Sequence, residues 1–420
     1  MGLEMTDFDL ATDARPEEVK KIFRKVIPTG IQHGTVTVLY KGHSFEVTTF
    51  RVESQYTNLR HPDQVHFTPD IFEDLKRRDF TVNAMALNLT TNELVDPHDG
   101  RGDIGRKIIR AIGDPEERFN EDGLRLLRAV RFMSQLDFDI EKNTLEAMGA
   151  CASNIQKVSQ ERIRDELIKI LLSNRPSRAF FLMEETGILP LILPELSRSR
   201  GIGQKERHLF DVFDHSVYSV DGASKHILEI PLAALLHDLG KPDTLKPDKQ
   251  GNPTFHGHEQ RSVELAHDIL KRLKFPRALE ERVCHLIAHH MFNYEPAWTD
   301  AAVRRFLSKV NPRYVPDLFH LRRADSYGTN LDTASLEPLI SFQKRIEEVA
   351  AKDEALTIKD LKINGNDLFK EAGIPKGPIM GVILDFLLEA VLEDPEINDS
   401  DTLLSLAVNF YENRLRPDGV

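Results

Sequence analysis

Apolar positions fall into two regimes along this chain. Over roughly the first hundred residues they alternate with polar ones. "TVTVLYKGHSFEVTTFRV" reads as two β-rich runs about a Lys41-Gly42 turn, hence a hairpin. "DARPEEVKKIFRKV" has the periodicity of a helix. "VESQYTNLRHPDQVHFTPD" is polar and aperiodic, and predicts a loop. "FTVNAMALNL" fits either a strand or the start of a buried helix. From about Glu116 the pattern turns helical, as in "EDGLRLLRAVRFMSQL", "SQERIRDELIKILL", "PLAALLHDLG", "ALEERVCHLIAHHM" and "GPIMGVILDFLLEAVLED". The expected class is α+β, a small mixed-sheet head followed by an all-α body.

The length of 420 residues exceeds one hydrophobic core, so several domains are expected. Cys151 and Cys284 are far apart and lack a C-x-x-C partner, which argues against a disulfide framework or a thiolate zinc site and suits a reducing cytosol. No apolar run has the length of a membrane span, no signal peptide is visible, and "MGLEMT" matches a myristoylation pattern by chance. The net charge is -12, so any recognition of phosphate must rest on local groups of Arg and Lys.

Asp7 and Asp9 lie two apart in an apolar setting, and in a strand such positions share a face. Glu46 has the same setting between Phe45 and Val47. If the two strands are neighbours, three carboxylates gather on one side. Such a cluster needs a cation, and magnesium, a hard ion that takes oxygen ligands, suits it. "DLKRRDFTVNA" sets Lys76, Arg77 and Arg78 against Asp74 and Asp79. There Arg can grip phosphate, and Asp79 or Asn83 can take a ribose hydroxyl. In "NEDGLRLLRAVRF", Asn120 is expected to cap a helix, with Asp122, Arg125, Arg128 and Arg131 on one drifting stripe. A carboxylate only accepts hydrogen bonds and a guanidinium only donates. Asp122 with Arg125 therefore matches an exocyclic amine beside an unprotonated ring nitrogen, the pattern of cytosine and adenine. Uracil and guanine present the inverse pattern and are repelled. Arg128 and Arg131 are then placed to hold a triphosphate.

Histidines and aspartates recur on later helices: His215, His237-Asp238, His256, His258, His289, His290 and Asp325. An adjacent His-Asp pair with ligands from other helices suits a mono- or dinuclear metal site in a helical bundle. Lys241 follows the pair and can meet phosphate. In "GIPKGPIMG", free amides at a helix start near Lys376 can hold a backbone phosphate.

"DFDLAT", "FEVTTFR", "RRDFTVNA", "EDGLRLLRAVRF" and "SQERIRDEL", in this order, resemble class II tRNA nucleotidyltransferases, the CCA-adding enzymes and their poly(A) polymerase relatives. The resemblance extends to "DLKINGNDLFKEAGIPKGPIMGVILDFLLEAVLEDPEIN". It implies a head (1–112), a neck that reads the base (113–173), a body (174–345) and a tRNA-binding tail (346–420) in an elongated arrangement. It implies transfer of CMP and AMP from CTP and ATP to a tRNA 3′ end, with Mg2+ on Asp7 and Asp9 and Glu46 as third catalytic carboxylate. Arg78, Asp79 and Asn83 would contact sugar and phosphates, and Asp122 and Arg125 would form the template. Only six residues precede Asp7, so the resemblance also implies a head without its first strand and without the Gly-Gly-Val-Arg-Asp segment. That leaves a start codon placed too far downstream or a vestigial head. The body resembles the HD phosphohydrolase superfamily, which implies a metal (Ni2+, Mn2+, Fe2+ or Co2+) on His215, His237, Asp238 and Asp325, with His258 and His290 as added ligands. The alternatives are a poly(A) polymerase, a hydrolase with an inactive head, and a non-catalytic RNA-binding protein. The expected location is the cytoplasm, with no membrane partner. Oligomeric state is not legible.

Overall fold

Alternation of Val36, Val38 and Val47 with polar neighbours builds the head. The computed structural model describes residues 8–54, 64–204, 209–332, 337–351 and 356–415. β1 (Asp9–Thr12), β2 (Val26–Gly30), β3 (Thr35–Tyr40) and β4 (His43–Thr49) form a sheet in the order β1-β4-β3-β2. β1 runs parallel to β4, and β4, β3 and β2 are antiparallel neighbours. The apolar face of the sheet packs Val36, Val38 and Val47 against Val19 of α1 (Pro16–Ile22). Pro16 opens that helix with φ already set, and Glu17 and Glu18 favour its positive end.

The predicted hairpin is present. Tyr40 pairs with His43, so the loop is Lys41-Gly42 alone, and both residues have positive φ (49° and 85°). This two-residue turn matches the twist of its strands. The predicted loop after it, over 52–70, is wrong where two strands flank its middle, and that middle, 55–63, lies outside the described residues. β5 (Arg51–Ser54) pairs antiparallel with β6 (Gln64–Phe67). The polar residues of such a two-stranded ribbon mask the alternation on which a strand reading depends. "FTVNAMALNL" forms a 3₁₀ turn at Thr81–Asn83 and a short strand, Ala86–Leu87, with Phe80 fully buried before them.

The remainder is mainly helical, as expected, interrupted by short strand pairs such as Ile108–Ile109 with Asp139–Ile140 and Lys246–Pro247 with Pro253–Thr254. The chain divides into two compact units, one of residues 1–202 and 267–280, the other of 203–266 and 281–420. In the second unit the helices Val212–Gly222, Glu229–Leu236 and Val315–Asn330 pack together, and the Ile379–Glu393 and Ser400–Phe410 helices share a core of Ile383, Leu387, Leu403 and Ala407. Among the described residues no helix is long and apolar enough to cross a membrane.

Candidate active sites

The parallel register of β1 and β4 sets Asp9 directly opposite Glu46. Both carboxylates therefore point from the same face of the sheet, away from the valine core. Both line a cavity of about 770 Å³ within the first unit. Among the described residues neither has a hydrogen-bonding or ionic partner. Asp7 lies outside the described residues. Two acidic oxygen donors without a protein cation between them fit a hard divalent ion.

Across the cavity the wall is cationic, with Arg51, Arg77, Arg78, Arg125, Arg128 and Arg162. This is the local concentration of positive charge that an acidic chain needs to hold a triphosphate. Asp79 and Asn83 also lie on the wall, but Asp79 is buried and engaged. Its Oδ1 accepts from Asn83 Nδ2 at 2.7 Å, and Oδ2 accepts from Arg128 Nε. Burial opposes its charge, yet Arg128 and Asn83 hold Asp79 below its ordinary pKa.

Asp122 and Arg125 both face this cavity, though not as an i,i+3 helical pair. The predicted Asn120 cap is incorrect. Asn120 lies inside the helix Pro115–Glu121, which Asp114 caps through Glu116 N–H at 2.9 Å. Asp122 ends that helix and opens the next, Leu124–Leu136, by accepting from Leu124 N–H at 2.9 Å. Two short helices meet where one was expected, because Asp122 and Gly123 break the run. A Cβ on Gly123 would lie 2.4 Å from the Asn154 carbonyl oxygen, so only glycine lets this turn pack down. Arg162 NH2 grips Asp122 Oδ2 at 2.6 Å. Arg125 is buried and aimed by three acceptors: the Arg118 carbonyl (3.0 Å), the Arg77 carbonyl (3.3 Å) and Glu121.

Arg131 is not on the cavity wall. Its Nε donates to Glu166 at 2.5 Å, and its guanidinium lies 4.0 Å from the Phe132 ring centroid. Six residues beyond Arg125, at 3.6 per turn, the helix has rotated by about 120°. Sequence reasoning overlooked Arg51 and Arg162 as site residues. Both stand in segments that carry the resemblance, "FEVTTFR" and "SQERIRDEL", but only tertiary pairing shows what they face.

The second unit brings six ligand-type side chains together. His215 Nε2 lies 3.2 Å from His237 Nε2, 3.3 Å from Asp238 Oδ2 and 3.2 Å from Asp325 Oδ1. On the other side, His258 Nε2 lies 3.3 Å from both Asp238 Oδ1 and His290 Nε2. Two ligand groups result, His215-His237-Asp238 and Asp238-His258-His290, and Asp238 belongs to both. Nδ1 of His237, His258 and His290 each meets a backbone carbonyl, of Ala234 (2.9 Å), Phe255 (2.8 Å) and Ile287 (2.7 Å). Donation there fixes the tautomer and turns each Nε2 lone pair inward, the arrangement a metal requires. Among these side chains alone, burial opposes charge on His237, yet Asp238 and Asp325 lift it to about 10. Burial, with His237 nearby, pushes His290 down to about 3. Asp238 and Asp325 sit well below the carboxylate range, since His237, His215 and, for Asp238, Lys241 outweigh burial. Of the remaining candidates, His256 lines the adjoining cavity of about 730 Å³, and His289 meets His285 edge to face instead.

Gly328 sets the spacing of this cluster. A Cβ there would lie 2.1 Å from Ser219 Oγ and 2.6 Å from the His215 carbonyl oxygen, and Asp325 stands nearly one turn earlier on the same helix. Gly328→Ala is expected to push the two helices apart, lower stability by ~1–3 kcal/mol and weaken metal retention by at least about tenfold. Thermal melting and elemental analysis after dialysis measure the two effects.

Residues 1–110 match the "Poly A polymerase head domain" family, residues 137–199 the "Probable RNA and SrmB- binding site of polymerase A", and residues 260–407 "tRNA nucleotidyltransferase domain 2". The chain is 37% identical over 391 residues to the CCA-adding enzyme of Lactobacillus johnsonii, covering 92% of this chain and 84% of that one. It is 32% identical over 416 residues to the CCA-adding enzyme of Ligilactobacillus salivarius, covering 99% and 91%. The solved structure of the Bacillus stearothermophilus CCA-adding enzyme in complex with CTP superimposes with a TM-score of 0.73 at 27% identity, over 98% of this chain and 90% of that one. The Thermotoga maritima CCA-adding enzyme complexed with tRNA shares the fold, with a TM-score of 0.56 at 19% identity over 97% and 87% of the two chains.

Proposed function

Because the chain belongs to the CCA-adding enzyme family of tRNA nucleotidyltransferases, we propose that its first unit adds or repairs the 3′-terminal CCA of tRNA from CTP and ATP, choosing each base by protein contacts alone. The observation that carries this reading is the pairing of Asp9 with Glu46 across one cavity from Asp122, Arg125 and the arginine wall. Asp9 and Glu46, with Asp7 as the resemblance implies, would hold Mg2+. When bound, that ion lowers the pKa of the attacking tRNA hydroxyl and neutralises the leaving pyrophosphate. Asp122 Oδ2 accepts from the exocyclic amine, and Arg125, braced by carbonyls on two sides, donates to the bare ring nitrogen. Arg78 and Arg128 receive phosphate oxygens. The proposed tRNA and nucleotide substrates are compatible with the expected cytoplasmic location.

Incubation with tRNA lacking its terminal CCA, together with CTP and ATP, tests the reading. Addition that stops after CCA supports it; long A-tracts without CMP point to a poly(A) polymerase. No nucleotide transfer, with tRNA still bound, would leave a vestigial head. Asp122→Asn replaces an obligate acceptor with an amide that can also donate. It is expected to reduce the preference for CTP over UTP by about 10²-fold, the value of a charged hydrogen bond of ~3 kcal/mol. Single-nucleotide kcat/KM values measure this.

The double ligand set around Asp238 favours a second activity, phosphate-ester hydrolysis in the HD manner. His215, His237, Asp238 and Asp325 would hold one divalent ion and His258 and His290, sharing Asp238, another. Such ions supply a hydroxide nucleophile at neutral pH. Histidine-rich mixed donors suit nickel, manganese, iron or cobalt. Arg322 and Lys241, both on the cavity wall, can receive the phosphate oxygens. Release of phosphate from phosphorylated RNA 3′ ends under each metal tests this second reading.

A further inference from the structure

One buried carboxylate in the head belongs neither to the cavity wall nor to the hydrophobic core. Asp74, near the end of α2 (Ile71–Lys76), is 1% exposed. Its Oδ1 accepts from Arg51 N–H at 3.1 Å and from Arg77 through Nε at 3.1 Å and NH2 at 2.9 Å. Its Oδ2 faces Arg78 NH2 at 3.5 Å. All three arginines line the cavity, and Asp74 does not.

We propose that Asp74 is the positioning residue for the triphosphate-binding wall of this cavity. The proposal rests on the reading of the cavity as the nucleotide site. The physical need is plain. Six guanidinium groups around one hollow repel one another, and each long side chain has many rotamers. A carboxylate buried behind them offsets that repulsion and holds the fork of Arg77 in one plane before any ligand arrives. Through the backbone of Arg51, Asp74 also ties this turn to the chain just past β4, the strand that bears Glu46. Arg125, the base-reading donor, is held by the Arg118 carbonyl, Glu121 and the backbone carbonyl of Arg77, so Asp74 acts on the phosphate wall alone, without lining the cavity.

The test uses the full chain, with inorganic tripolyphosphate and cytidine as separate inhibitors of CMP addition competing against CTP. Tripolyphosphate reports the wall alone, and cytidine reports the base and sugar seat. Asp74→Asn is expected to weaken tripolyphosphate by about tenfold and to raise KM for CTP by the same factor, with cytidine inhibition and kcat within about threefold. Arg77→Lys keeps the charge but loses the fork, and is expected to weaken tripolyphosphate by about threefold with cytidine unaffected. It carries the test if Asp74→Asn does not fold. Equal weakening of both inhibitors, or an unchanged response to tripolyphosphate in the variant that folds, would overturn the proposal. If neither compound competes with CTP in the unsubstituted protein, the cavity reading itself fails, and the proposal with it.

Discussion

Glu46→Gln is expected to lower CMP and AMP addition by about 10³-fold, equivalent to ~4 kcal/mol of transition-state stabilisation. The substitution preserves volume and removes one charge. Glu46 is solvent-exposed on the polar face of β4, and among the described residues its carboxylate bonds to nothing, so no folding contact is lost. What is lost is half of the pair formed with Asp9 across the parallel register. The arginine wall stays intact, so the KM for CTP should change far less than kcat. That split separates a chemical role from a binding one. Asp9→Asn should produce the same deficit, and the double variant should be little worse than either alone, because two ligands of one ion act as a unit. Single-turnover rates on tRNA ending before its CCA give the comparison, and a Glu46→Gln protein within tenfold of the unsubstituted rate would remove Glu46 from the chemistry.

Asp238→Ala should abolish metal binding in the second unit altogether. Asp238 is shared by both ligand groups, its Oδ2 toward His215 and His237 and its Oδ1 toward His258 and His290. His215→Ala and His258→Ala each weaken only one group, so they should leave about one ion where two are expected in the unsubstituted protein. Asp238→Ala also strips the buried Lys241 of the carboxylate that compensates it. An uncompensated buried charge costs ~3–5 kcal/mol, so the variant should melt earlier than either histidine variant. Nucleotide addition by the first unit should not change. Metal content per chain, phosphatase rate and melting temperature together decide the matter; two ions still bound to Asp238→Ala would refute a shared ligand.

Much of this was legible in local pattern. The valine alternation and the Lys41-Gly42 pair suffice to fold a hairpin, and β-periodicity alone puts Glu46 on the face opposite Val47. That Asp9 lies opposite Glu46 needs the pairing of β1 with β4, which the sequence states only as a condition. Helical periodicity set the candidate histidines on or beside helices, and the structure has them there. Arg131 shows where that reasoning fails: a stripe at i+3 intervals drifts, and its last member leaves the face. Asn120 failed differently. It is a competent cap by residue type, but Asp114 and Asp122 do the capping, and Gly123 divides the run because Asn154 leaves no room for a side chain. The roles of Arg51, Arg162 and Asp74 arise from contacts between segments distant in sequence, which no periodicity encodes.

The parallel neighbour of β1 also orders events when the head loosens. β1 and β4 are separated along the chain by a helix and two further strands, β2 and β3, so their contact is long-range, and β1 stands at the margin of the described sheet. Marginal strands fray first under mild denaturant. The arginine wall is anchored elsewhere, by Asp74 and Asp79. Such a partly opened head is expected to keep its arginine wall while its acidic pair comes apart, so turnover should be lost at a denaturant concentration where nucleotide affinity persists.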